Sequence, residues 1–401
     1  MNIKNSQYSA GEQALGYIYQ ARLALLKLLQ WPEDTAIFIE KDDDLDFIDK
    51  DGVKTLASLK HKKAGDRLSN LSIDFWKSVN IWIERYQNNG KQQSSLRFFL
   101  FTTGTVSENS FLTHFIGDEK EVTESLLNKI SSVLSKSESK TIKPIKAKLE
   151  VLNFKERKDF FSRIMIFDDS PRITDLPNII VGQYMRTVRS EFRNHVFERL
   201  EGWWNNLVIK LLTGNRKAEI FGHEISDKLS QIADEYKIDN LPIHFRNEKP
   251  EGKIDPENDP RLFVAQLREI GISPNRIQSA IFDYYRAFQQ RSSWAREHVL
   301  YEGEVEDYED RLIDEWGRYK DVLLEDLESD SIEKELKTVG RELYKWAEFN
   351  TDHLRIRDRV SEAYVVRGNF HILANEKPFP KVYWHPHFLD RVDKILEGIS
   401  Q

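Results

Sequence analysis

Ile37-Phe38-Ile39-Glu40-Lys41-Asp42-Asp43-Asp44-Leu45-Asp46-Phe47-Ile48, a turn at Asp51-Gly52, then Lys54-Thr55-Leu56-Ala57-Ser58-Leu59-Lys60-His61-Lys62-Lys63 is the stretch on which the fold turns. β-rich apolar runs flank an Asp-Gly pair, a strong short-range hairpin signal. Side chains alternate faces along a strand. Odd-numbered Ile37, Ile39, Leu45 and Phe47 are apolar, whereas even-numbered Glu40, Asp42, Asp44 and Asp46 are acidic. A regular strand therefore predicts a row of carboxylates on the face opposite the core. The hairpin returns Lys60 toward that row, with Ser58 and Leu56 on the same face as the lysine.

Clustered carboxylates repel one another unless something positive sits among them. Mg²⁺ (or Mn²⁺), held through carboxylates and water, is the natural occupant. Such an ion activates water and stabilises charge on a phosphoryl group, and a nearby lysine can position that water or neutralise developing charge. Asp44 with Lys60 is thus a coherent phosphodiesterase pair, with Asp44 and Glu40 as metal ligands and Glu40 or Asp46 assisting. Asp46 lies on the same predicted face, Asp42 is in the same row, and Asp43 would require a bulge. A solvated acidic hairpin with surface ion pairs accounts for the same letters, and at this level both readings stand. Lys54, Lys60, His61, Lys62, Lys63 and Arg67 set against Asp66 form a basic patch suited to a nucleic-acid backbone.

Outward from this stretch, residues 9–30 predict a helix with an Ala14, Leu15, Ile18, Ala21, Leu25, Leu26 and Leu29 stripe, stopped by Trp31-Pro32. Residues 72–86 predict a second helix with Trp76, Val79, Ile83 and Tyr86 on one face. Residues 96–102 are a continuous apolar strand, and a short strand is expected near 163–167. Beyond 180 the pattern is almost wholly helical, with one long helix over 183–212. Residues 246–260 read as an exposed connector, and the tail from Val365 to Phe388 as short strands or loops. The expected organisation is an α/β domain over 1–150 and a mainly α-helical domain over 151–401.

The 401 residues carry a net charge of −7 and no cysteine, which excludes disulfides, thiolate metal sites and cysteine nucleophiles. Residues 301–330 hold 13 acids against 3 bases, so the acidic total does not exclude a polyanionic substrate. No run approaches the ~18 apolar residues of a membrane span, and the opening Met1-Asn2-Ile3-Lys4-Asn5-Ser6 lacks a signal-peptide core. A cytoplasmic protein is expected. No nucleotide-binding G-x-x-x-x-G-K-[ST] occurs, so any ATPase must be a partner.

The order helix, acidic hairpin, lysine strand, helix, strand resembles the PD-(D/E)xK nuclease core. More narrowly, Gly16-Tyr17-Ile18-Tyr19-Gln20, Glu40-Lys41-Asp42-Asp43-Asp44-Leu45 and Leu59-Lys60-His61-Lys62 resemble the endonuclease domain of CBASS-type antiphage effectors over residues 8–105. The resemblance implies a metal-dependent DNA endonuclease acting on double-stranded DNA, with Asp44 and Lys60 catalytic and Gln20 supporting. Glu12, eight positions before Gln20 on the same helical face, is a further supporting candidate, with a surface role as its alternative. His61, Lys62, Lys63 and Arg67 would contact DNA. The family has Gln, Glu or Asp two residues before the lysine. Here that position is Ser58, a poor metal ligand, which leaves the Leu59 carbonyl or a neighbouring carboxylate to help, or a site of reduced activity.

The C-terminal part resembles the helical region of Lamassu nuclease subunits (LmuA-type) and of ABC three-component effectors. It does so through Gly202-Trp203-Trp204, the run from Ile281 to Trp294, Asp314-Glu315-Trp316, the run from Arg367 to Ala374, and Trp384-His385-Pro386-His387-Phe388. The Lamassu resemblance implies an SMC-like ATPase subunit and a small third subunit that hold the nuclease inactive. Release would then permit homo-oligomerisation, to a tetramer. A cyclic-nucleotide-gated nuclease and a non-catalytic DNA-end-binding scaffold with a decayed site are the alternatives. Trp384-His385-Pro386-His387 reads as a packed aromatic corner, and the basic-aromatic helix at 284–296 as a helix–helix interface.

Overall fold

A computed structural model describes residues 4–63, 65–117, 121–252, 254–325, 327–328 and 331–391. In the first helix it describes the side chains of residue 11 and of 13 onward. The chain divides into two compact units, 1–232 and 233–401.

The first unit runs α1 (Lys4–Gln30), β1 (Ala36–Ile39), β2 (Leu45–Ile48), β3 (Lys54–Lys60), β4 (Arg67–Leu68), α2 (Ile73–Asn88), β5 (Arg97–Thr102) and β6 (Thr105–Val106). It continues through α3 (Glu124–Ser135), α4 (Ile142–Glu150), α5 (Phe154–Ser162), β7 (Ile164–Phe167), α6 (Leu176–Tyr184), α7 (Arg193–Leu212), β8 (Ile220–Phe221) and α8 (Gly222–Asp234). Six strands form one mixed sheet in the order β7-β5-β3-β2-β1-β8. β1, β2 and β3 are antiparallel neighbours, whereas β3, β5 and β7 are parallel. Leu56, Phe98 and Leu100 face one side, where they pack with Phe75, Trp76, Val79, Trp82 and Ile83 of α2. α1 and the residue after it cover the other side: the Trp31 ring stands 4.4 Å from Phe47, and the Lys27 ammonium of α1 lies 5.1 Å from the Phe101 ring centre.

The division falls at 232/233 and not at 150/151. The sheet is the reason: β7 and β8 complete it from beyond residue 150, so the chain cannot leave this unit earlier. The long helix expected over 183–212 is two helices, α6 and α7, separated by a turn through Ser190–Phe192.

The acidic row does not form. β1 ends at Ile39, which pairs with Leu45 across a loop of residues 40–44. Glu40 takes a left-handed φ of 56° and its N–H donates to the Asp44 carbonyl at 3.0 Å. The alternation of faces is lost at that point, and a period-2 argument carried through a tight loop has no basis. The second hairpin turns at Asp51-Gly52 as expected; Gly52 sits at φ 75°, and the Asp49 carboxylate accepts from the Asp51 and Val53 N–H groups at 2.9 Å.

The second unit is helical: α9 (Leu262–Glu269), α10 (Pro274–Arg296), α11 (Glu304–Glu325), α12 (Glu333–Phe349) and α13 (Ala363–Leu373). Val365 and Val366, expected in a strand or loop, are in α13, because packing overrides a weak β preference. The basic-aromatic α10 packs against α13, at a contact that Gly368 permits. A Cβ there would stand 2.3 Å from the Asp283 carbonyl oxygen and 2.4 Å from Ala287 Cβ. Gly368→Ala is therefore expected to destabilise this unit by about 3 kcal/mol, readable as a lowered chemical-denaturation midpoint with an unchanged slope. The aromatic corner reading holds for Trp384 and His385, both buried.

Candidate active site

The loop of residues 40–44 is fastened from below. Asp46 is fully buried, and its carboxylate accepts from the Asp43 N–H at 3.1 Å, the Asp42 N–H at 3.2 Å and the Lys54 ammonium at 3.0 Å. Lys54 also pairs with Asp42, which Arg85 of α2 holds at 3.1 Å. Burial alone would raise the Asp42 pKa, but Lys54 and Arg85 outweigh it and the net direction is down. For Asp46 burial wins over Lys54 and the direction is up. Asp46 thus gives its carboxylate to the loop amides and Lys54, not to the Asp44–Lys60 centre, and serves as the loop's internal cap. Lys54 is tied to carboxylates and leaves the basic patch.

Asp44 stands at the crest, just before β2. One carboxylate oxygen accepts from Gln20 Nε2 of α1 at 3.0 Å. The other accepts from the Leu59 N–H at 2.6 Å and from Ser58 Oγ at 3.4 Å, with Lys60 Nζ at 3.7 Å. Lys60 donates to Ser58 Oγ at 2.9 Å, and Ser78 of α2 stands 2.8 Å from the same oxygen. Of the expected site residues, the fold brings Asp44, Lys60, Ser58 and Gln20 together. It does not bring in Glu40, whose exposed carboxylate makes no hydrogen bond or ion pair among the described residues. The Glu12 side chain lies outside the described residues.

Asp43 has a separate role that spacing did not reveal. It is buried, and it accepts from Trp82 Nε1 at 2.6 Å and from the Asp44 N–H at 2.9 Å. Burial and then the Asp44 charge push its pKa up to about 6, against the pull of the indole N–H. Ser78, Trp82 and Arg85 are one helical row on α2 that touches Ser58, Asp43 and Asp42 in turn. A buried tryptophan N–H requires an acceptor; that demand was the available signal for Trp82.

The raised pKa sets a pH dependence. The folded protein binds the Asp43 proton more tightly than the unfolded chain, so this contribution is full near pH 4 and lost as pH rises through about 6. Asp43→Asn, which cannot ionise, should remove it. The stability difference between parent and variant is expected to move by about 3 kcal/mol between pH 4 and pH 7, measured by urea unfolding at each pH.

The residues fit a divalent cation. The Asp44 oxygen that accepts from Gln20 keeps lone-pair capacity beyond that bond. Gln20 Oε1 is buried without a hydrogen-bond partner, an unmet acceptor that a metal ion or its water would satisfy. One carboxylate with few other protein ligands suits Mg²⁺, which retains several waters. A different cluster, Glu269, Glu333 and His385, meets metal-ligand spacing. There the Arg391 guanidinium already serves as the cation, 3.0 Å from Glu269 and 2.8 Å from Glu333.

The basic residues are dispersed. Lys62 pairs with Asp74, and its N–H donates to Thr103 Oγ1 at 2.7 Å. The Lys63 N–H donates to Asp66 at 3.2 Å. Arg67 is exposed on β4. His61 is exposed and lies edge-on to the buried Tyr19 ring at 5.1 Å. Partial burial and then the charge of Arg172 lower its pKa. Among the described residues no helix is long and apolar enough to cross a membrane.

No curated protein matches the chain. A solved structure of a Moraxella osloensis Cap4 SAVED/CARF-domain containing receptor aligns with a TM-score of 0.33 and 16% identity over 55% of this chain. The aligned part spans 48% of that receptor. Residues 263–392, most of the second unit, match the family model of C-terminal domain 7 of the ABC-three component (ABC-3C) systems. That match supports a component of a multi-part antiphage-defence system.

Proposed function

We propose that this chain is the nuclease effector of such a system: a metal-dependent endonuclease of the PD-(D/E)xK type that hydrolyses phosphodiesters of double-stranded DNA. The observation that carries the reading is the convergence of Gln20, Asp44, Ser58 and Lys60 on one end of a mixed sheet. Asp44 and Gln20 Oε1 would hold Mg²⁺ (or Mn²⁺), which supplies a polarised phosphoryl oxygen and a more acidic water. Lys60, 2.9 Å from Ser58 Oγ, is placed to hold the attacking water and to neutralise charge on the phosphoryl oxygens. Ser58 and Ser78 position that ammonium. The Leu59 N–H keeps Asp44 turned toward the lysine.

In this reading the second unit joins the nuclease to its partners. The three-component match favours an ABC-type ATPase, for which an SMC-like subunit is the form proposed, with a small third subunit. Homo-oligomerisation on release, to a tetramer, is part of the same proposal. Ser58 favours the second reading, a DNA-end-binding scaffold with a decayed centre.

Incubating supercoiled plasmid with the chain separates the two. The nuclease reading expects nicking or linearisation in Mg²⁺ that EDTA abolishes, concentrated in the higher-mass fraction. Plasmid that stays intact in every fraction and with the partner subunits present, while DNA is still bound, would establish the scaffold.

A further inference from the structure

The carboxyl ends of the parallel strands β3, β5 and β7 meet beside the Asp44–Lys60 centre, and three chain segments are clamped there. The Thr103 N–H donates to the Lys60 carbonyl at 3.2 Å, which fixes the exit of β3 against that of β5. The Ser170 N–H donates to the Thr102 carbonyl at 2.9 Å and the Asp169 N–H to the Gly104 carbonyl at 3.1 Å, which brings the loop after β7 to the same place. Arg22 of α1 donates to the Ile173 carbonyl at 3.2 Å and ties that loop to the helix carrying Tyr19 and Gln20. Open α/β sheets bind ligands at this end of their strands.

Three groups gathered here have no partner that explains them. The Tyr19 hydroxyl is buried and makes no hydrogen bond. His61, on the β3 exit, lies against the Tyr19 ring. Arg172, in the loop after β7, acts on His61 as an unfavourable positive neighbour. Among the described residues neither His61 nor the Arg172 guanidinium forms an ion pair, while Lys54, Lys62, Arg22 and Arg85 nearby all have carboxylate partners. The Asp175 carboxylate is occupied with the Arg172 N–H at 3.1 Å and Thr174 Oγ1 at 3.3 Å. A guanidinium and an imidazole without ion-pair partners, gathered with an orphaned hydroxyl donor, lack one thing: an anion with several oxygens.

We propose that Arg172, His61 and Tyr19 form a phosphate-binding subsite adjoining the Asp44–Lys60 centre, and that it holds a phosphate of the nucleic-acid strand next to the one cut. Arg172 would bind two phosphate oxygens through its guanidinium fork, His61 a third. The exposed His61 ring turns onto the anion and opens the way to the Tyr19 hydroxyl behind it. The placement of the second phosphate rests on the nuclease reading; the anion site itself does not.

The test uses the full chain carrying Asp44→Asn, so that binding is read without cleavage. Duplex DNA affinity is measured against salt for this protein and for its Arg172→Ala, Arg172→Lys, His61→Ala and Tyr19→Phe derivatives. In parallel, inorganic phosphate is titrated while the His61 imidazole resonances are followed. Arg172→Ala should weaken DNA binding about tenfold and lower the log–log salt slope by about 1, and Arg172→Lys should restore part of it. Tyr19→Phe should weaken binding severalfold while raising the melting temperature, a combination that a purely structural tyrosine would not give. Phosphate should shift His61 in the parent and not in Arg172→Ala. DNA affinity and slope unchanged by all four substitutions, with His61 silent to phosphate, would overturn the subsite and leave the nuclease reading intact. A parent that binds no DNA but shows the Arg172-dependent phosphate shift would keep the subsite and remove the strand assignment. Neither DNA binding nor a phosphate response would sink both.

Discussion

Lys60→Ala is expected to lower the rate of DNA cleavage by about 10²–10³-fold, the range seen when one stabilising donor is removed from a reaction centre. The lysine is half-buried on the last residue of β3 and makes two contacts, to Ser58 Oγ and to Asp44. Neither is a core contact, so melting temperature should stay within a degree or two and DNA affinity within about twofold. A loss confined to kcat, with KM unchanged, marks an interaction made only at the transition state. Single-turnover cleavage of a labelled duplex reads this directly. An alanine variant that cuts at the parental rate would remove Lys60 from the chemistry, and the scaffold reading would then account better for Ser58.

The largest stability effect is expected at Asp46. Its carboxylate is fully enclosed and bonded to two loop N–H groups and to Lys54. Asp46→Ala leaves an ammonium facing Asp42 alone and two amides without acceptors, a loss of about 3–5 kcal/mol by analogy with broken buried pairs. The transition of the first unit should fall by roughly 10 °C. Asp46→Asn, which retains one acceptor oxygen, should cost less. Because the same carboxylate shapes residues 42–44, both variants are expected to lose cleavage at temperatures where circular dichroism still reports a folded chain. A stable Asp46→Ala protein with parental activity would show that the loop is held by other means.

Asp46 also shows where reading the sequence stops. The hairpin at Asp51-Gly52, the lysine strand and the helix from Ile73 were legible, because each rests on local turn chemistry or periodicity. The first hairpin was not. Five polar residues between Ile39 and Leu45 can continue a strand with acids on one side, or fold into a loop capped by one of those acids. Parity cannot decide between the two; the burial of Asp46 and the left-handed Glu40 do. Asp43 was unreadable for a related reason: its partner Trp82 lies thirty-nine positions away on a helix whose apolar face was visible but whose Trp82 N–H contact was not. Arg172 was missed because its neighbourhood is created by β7, a strand whose place in the sheet no local pattern announces. Gln20 was legible only through its motif; its Nε2 contact with Asp44 spans α1 and the loop before β2.

The most direct test of the proposed centre is a titration of Mn²⁺ into the parent chain and Asp44→Asn, followed by cleavage assays on the same samples. Asp44 accepts from Gln20 Nε2 at 3.0 Å and stands 3.7 Å from Lys60 Nζ. The parent is expected to bind the ion and cut DNA, and the folded Asn variant to do neither. Metal-dependent cleavage that persists at the parental rate in Asp44→Asn would contradict that expectation.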